Sequence, residues 1–171
     1  MSSINMNPMA GISAADVQGM DLETLMMAVQ SNRAQLLEAQ LKDQISSVQA
    51  KNENISKLNE LLGALNGAAA KFKSDAKAGD TIDIPANVKT AAASAGVTLP
   101  DGFSGAKVTK GNLDSFVQQT KSQIDSLSNS QQMDMLRLQS LSNKRNEAFE
   151  VMTNFIKKMQ DNRNSIIGNM R

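Results

Sequence analysis

The chain contains no His, Cys, Trp or Tyr. That removes the commonest general base, the thiol nucleophile and the soft metal ligands in one stroke. Acid–base work would therefore fall to carboxylates and lysines. The nearest acidic groupings are Asp21 with Glu23, Glu53 with Glu60, and Glu147 with Glu150, each at a spacing that suits a solvated helix face. The stretch GDTIDIPAN lacks the alternation of oxygen ligands and the central glycine of a calcium loop, and no glycine-rich phosphate loop occurs. These residues predict no enzyme, no metal and no cofactor. Chemistry between chains is the alternative, and it rests on apolar side chains at helical spacing.

Aromatic residues make up 3% of the chain, all five of them Phe, while Met alone occurs eleven times. Ala, Leu, Met, Gln and Lys favour helices, whereas strands draw on aromatic and β-branched residues, so this palette predicts a helical protein. Lys and Arg number 18 against 17 Asp and Glu, with no basic stripe interleaved with aromatics, which argues against a nucleic-acid surface. No apolar run approaches the roughly 18 residues of a membrane span. The start, MSSINMNPMAGISAADVQG, lacks the basic and apolar regions of a secretory signal. Residues 1–20 read as a flexible polar tail.

The first helix start is written at GMDLETLMMAV. Asp21 can cap the free amides, Glu23 complements the helix dipole, and Met20 and Leu25 stand at staple positions. Leu41, Val48, Ile55 and Leu62 follow at sevenfold spacing, with Leu37, Leu58 and Leu65 at the alternating position of the seam. The spacing predicts helix one over 21–65, ending near Gly63.

A second run without Pro or Gly extends from Asn112 to Ile167, with Thr109 placed to cap it. Val117, Ile124, Leu138, Met152, Met159 and Ile166 recur at sevens, interrupted by Gln131 and Arg145. Leu113, Leu127, Leu141, Ala148 and Phe155 complete the seam. At about 1.5 Å per residue this second helix, over 112–171, would be about 85 Å long. Between the two helices, residues 66–111 form an insert. Turn signals at AGD, LPDG and SGA surround a short helix near 86–95 closed by Gly96, and TIDI and AKVT can pair as short strands.

Neither long helix can bury its stripe alone. The expected fold is all-α, one domain built as a long antiparallel coiled-coil hairpin with a small irregular insert. Its intramolecular seam comprises Leu41, Val48, Ile55, Leu58, Leu62, Val117, Ile124, Leu127, Leu138 and Leu141. Gln44, Lys51, Gln131 and Arg145 interrupt that seam, where they either fix register or meet solvent at an opening.

Helix two carries a second apolar row at Met135, Phe149, Ile156 and Met170, so its stripe widens toward Met170 beyond what one partner helix covers. The residues expected to meet neighbouring copies are Leu22, Leu25, Met26, Val29, Phe149, Met152, Phe155, Ile156, Met159, Ile166, Ile167 and Met170. Asn143, Asn146, Asn154, Asn162, Asn164 and Asn169 could bond between subunits or simply face water.

The run QQMDMLRLQSLSNKRNEAFEVMTNFIKKMQDNRNSIIGNMR resembles the closing helix of the needle-tip proteins of type III secretion systems. Within it, RNEAFEVMTNFIKKMQD is similar to the V-antigen class in its Asn–Ala–aromatic spacing. DLETLMMAVQSNRAQLLEAQL resembles the first block of the tip-filament members, and the middle of the chain departs from the family. This resemblance implies a secreted subunit at the bacterial cell surface, assembling as a homo-oligomer into a hollow helical filament on the needle. Its implied partners are the needle subunit, the translocator pore proteins and a dedicated cytoplasmic chaperone. It also implies that the N-terminal tail is an uncleaved export signal. A closed cap on the needle tip is the alternative assembly, and a cytoplasmic coiled-coil chaperone or adaptor is the alternative outside secretion.

Overall fold

The computed structural model describes residues 22–170. The tail over 1–20, the cap at Asp21 and the staple residue Met20 lie outside the described residues. The element order is α1 (Leu22–Ala69), β1 (Thr81–Asp83), α2 (Ala86–Ser94), a single 3-10 turn (Asp101–Phe103), β2 (Lys107–Thr109) and α3 (Lys110–Asn169). This is the helical hairpin with a small insert that the heptad pattern predicts. The described residues form two compact units: residues 46–135 make one, and residues 22–45 with 136–170 make the other. Both long helices contribute to each.

In the unit over 46–135, one core joins the insert to the two helices. Leu58, Leu61, Leu65 and Ala68 of α1 meet Val88 and Ala92 of α2, Phe103, Val108, and Leu113, Phe116 and Val117 of α3. Phe103 and Phe116 pack edge to face, their centroids 5.1 Å apart. The insert is thus part of the core rather than an appendage.

That core also explains why α1 runs past its predicted end at 65 to Ala69. Gly63 and Gly67 each cost about 1 kcal/mol of helix propensity. They face open space, however, while Leu65 and Ala68 beside them are fully buried and their packing offsets the cost.

The two short strands pair antiparallel, with Ile82 opposite Val108. Two further backbone bonds lengthen the ladder, from Ile84 N–H to the Ala106 carbonyl (2.9 Å) and from Lys110 N–H to the Asp80 carbonyl (2.8 Å). Gly96 closes α2 at φ +66°, the left-handed conformation of a C-terminal glycine. The Thr109 hydroxyl accepts the Asn112 N–H at 3.2 Å, capping α3 as its position predicts, while the helix itself begins at Lys110.

In the unit formed by the first part of α1 and the last part of α3, the core is thinner. Ala34, Leu37 and Ala148 form its buried centre, with Leu141 and Met152 partly buried against them. Beyond this cluster Asn162 Nδ2 donates to Glu23 Oε1 at 3.3 Å.

The ten predicted seam residues divide by depth. Leu41, Val48, Leu58 and Val117 are buried, whereas Ile55, Leu62, Ile124, Leu127, Leu138 and Leu141 are half-buried. Leu61 and Phe116, outside the heptad count, are buried instead. The reason is drift. A straight helix turns every 3.6 residues, so a strict count in sevens walks off the buried face within a few turns. The insert moreover draws one more residue of each helix inward.

Candidate functional site

Among the described residues, no three carboxylates gather as a metal site would require. Glu53 accepts from Lys57 at 2.7 Å one helical turn away, and this hydrogen bond with its accompanying charge holds the Glu53 carboxyl below its ordinary value. Glu60, Glu147 and Glu150 are exposed on helix faces. No described helix is long and apolar enough to cross a membrane. What the molecule does present is apolar surface and one set of polar bonds across its helices.

Most of the exposed apolar side chains lie on the unit that holds the first part of α1 and the last part of α3, where Ile45 and Leu136 are exposed as well; Met133 and Met135 are exposed on the other unit. Of the twelve residues expected to meet other copies, seven are exposed: Leu22, Met26, Phe149, Ile156, Ile166, Ile167 and Met170. Leu22 is 71% exposed, Ile166 and Ile167 61% each, and Met170 83%. Such values are unusual for residues this apolar, and seven in one unit exceed the scattered exposure of an ordinary surface.

The other five, Leu25, Val29, Met152, Phe155 and Met159, are half-buried. Met152 packs on the Ala34–Leu37–Ala148 cluster, so part of its surface serves the hairpin. Met159 and Ile156 line a shallow groove of about 200 Å³ together with Met27, Gln160 and Arg163. Every residue from Asp161 to Asn169 at the end of α3, and Met170 after it, is exposed, including Asn162, Asn164 and Asn169.

The four polar interruptions of the seam separate clearly. Lys51 Nζ donates to the Asp134 carboxylate and to Ser130 Oγ, the latter at 2.6 Å, and Gln131 Nε2 donates to Asn52 Oδ1. Arg145 instead reaches only its chain neighbour Asn146, at 3.3 Å, and leaves its buried Nε without a partner. Gln44 is half-buried beside Gln40, Asp43, Arg137 and Leu141 around a groove of about 240 Å³. Asp134, the acceptor of the pair, falls in the companion seam row between Leu127 and Leu141, a polar member of that row that the apolar residues alone do not single out. A carboxylate inside an apolar period, set against a lysine at the same depth of the opposite helix, is the sequence signal that marks it.

A search for relatives matches the chain to no protein-family model, no curated protein and no solved structure.

Proposed function

We propose that this chain is a non-catalytic structural subunit, secreted through a type III apparatus. In this reading it assembles at the needle tip into a hollow filament that conducts effectors and supports the translocator pore proteins. The observation that carries the reading is the apolar surface of Phe149, Ile156, Ile166, Ile167 and Met170, exposed on α3 alongside Leu22 and Met26 of α1. The resemblance of residues 131–171 and 21–62 to the needle-tip family supplies its biological setting. A dedicated chaperone would shield this surface inside the bacterium.

Magnitudes favour many contacts over one. Burying an exposed aliphatic or Phe side chain contributes about 1.5–3 kcal/mol, while bringing two chains together costs about 4–15 kcal/mol. A single contact built from part of this surface is close to balance. A subunit that touches several neighbours, as in an open head-to-tail helix, gains the contact energy repeatedly.

Electron microscopy with light scattering on the concentrated full chain tests the assembly. A filament gives fibres with a broad distribution of mass, and a closed cap gives one discrete mass. A chain that stays monomeric at high concentration overturns both. Secretion is tested separately by its appearance in culture medium only when the secretion apparatus is intact; retention in the cell favours an adaptor.

A further inference from the structure

The Lys51–Asp134 pair stands in a seam built mainly from aliphatic and small residues, with Gln44, Gln131 and Arg145 as its other polar interruptions. Asp134 is 6% exposed, Lys51 keeps about a quarter of its side-chain surface, and Val48, one turn before Lys51, is buried. At that depth the attraction between the charges is largely offset by the loss of their hydration, so an ion pair is a weak source of net stability. An aliphatic pair of similar volume would hold the helices at least as well. Such a pair is useful for what it forbids.

Val48, Leu58, Leu61 and Leu65 on one helix, and Leu113, Val117, Ile124 and Leu127 on the other, carry nothing that tells α1 from α3. Two copies of α1 could pair in parallel through such layers, and so could two copies of α3. Those pairings would bury Lys51 against Lys51, or Asp134 against Asp134. A slip of the native pair by one heptad would set the Lys51 ammonium against Leu127 and part it from Asp134. Like charges or a lone charge at this depth cost several kcal/mol, whereas the native register satisfies Lys51, Asp134 and Ser130 together. The Asn52–Gln131 bond, also between α1 and α3, adds a second polar link to the same arrangement.

We infer that Lys51, Asp134 and Ser130, with Asn52 and Gln131, form a pairing filter that confines α1 to α3 in one register and excludes like-helix pairing with a second copy of this chain. The inference is independent of the filament reading. It concerns which helices may share a seam, whatever the outer surface binds.

The absence of cysteine from the chain makes a clean reporter possible. Ile124 is half-buried in the seam of α3, and Ile124→Cys has no intramolecular partner, so it forms a disulfide only when two α3 seams face each other. In the full-length Ile124→Cys chain under mild oxidation, covalent dimer stays scarce. Adding Lys51→Leu and Asp134→Leu raises it by about tenfold or more, with helix content kept and the melting temperature at or above that of the parent. Exchanging the charges, Lys51→Asp with Asp134→Lys, returns the dimer to the scarce level. Equal dimer in the parent and Leu-layer chains overturns the inference, as does a Leu-layer chain that melts below the parent. A charge-exchanged chain that dimerises as readily as the Leu-layer chain does so too.

Discussion

Side chains one position apart on these helices have very different weight. Leu61 is fully buried and Leu62 only half so, although both are leucines in the same turn of α1. Leu61→Ala leaves a cavity among Leu65, Val88 and Leu113 and is expected to cost about 2–5 kcal/mol in urea unfolding. Leu62→Ala is expected to cost less, because part of its surface is already in water. At Gly96, whose φ is +66°, replacement by Ala forces a side chain into the left-handed region at about 1–2 kcal/mol, with no steric contact to relieve.

Glu53 illustrates a smaller effect with a definite sign. Its carboxyl is held below its ordinary value, near 4.5, by the hydrogen bond from Lys57, so the pair's contribution is present above that pH. It fades as the pH falls through the lowered value. Because Glu53 is fully exposed, Glu53→Gln should only slightly flatten the acid limb of a melting-temperature profile. Added salt, which screens an exposed pair, should shrink even that difference.

At the scale of elements, the long helices were legible because apolar residues at sevens leave few alternatives, and the paired strands, the Thr109 cap and the Gly96 stop were each written in local chemistry. The burial of Leu61 and Phe116 was not legible. It depends on where the insert folds back, and insert contacts are set by tertiary packing that periodicity does not encode. The same holds for the end of α1, expected at 65 and found at Ala69, where Ala68 is buried. Of the candidate assembly surface, its wide stripe on α3 was readable from the second apolar row; that Met152 is partly consumed by the hairpin depends on the depth of the Ala34–Ala148 contact. The insert's role in the core gives a direct test. Val88 on α2 is fully buried against both long helices' core residues, so Val88→Asp places an unpaired carboxylate there. It should lower stability by about 3–5 kcal/mol and speed amide exchange in α2 and in both strands. Unchanged exchange would mean that the insert is held by its own turns alone.

For the whole molecule, folding and the proposed assembly make opposite demands on the same helix, and the burial of α3 varies along its length. Around Leu113 and Phe116 its apolar side chains are buried and around Met152 they are half-buried, while Met133, Met135 and Leu136 midway and the apolar residues from Asp161 onward are exposed. A change late in α3 should therefore be silent in the monomer and severe in the assembly, whereas the same change early in α3 should unfold the chain. Ile166→Asp tests this gradient, since Ile166 is 61% exposed and its replacement alters monomer stability by no more than about 0.5 kcal/mol. In a filament the added carboxylate would lie buried without a cation at every contact, and fibres should be lost from electron micrographs. Phe155→Asp, at a half-buried site, should lose both some stability and assembly. Removal of residues from about 150 onward should leave a folded helical monomer that is still secreted, because the core among Leu61, Val88 and Phe116 does not draw on that segment. Fibres from the truncated chain, or from Ile166→Asp with an unchanged melting temperature, would place the assembly contacts elsewhere. The exposed end of α3 would then need a different explanation.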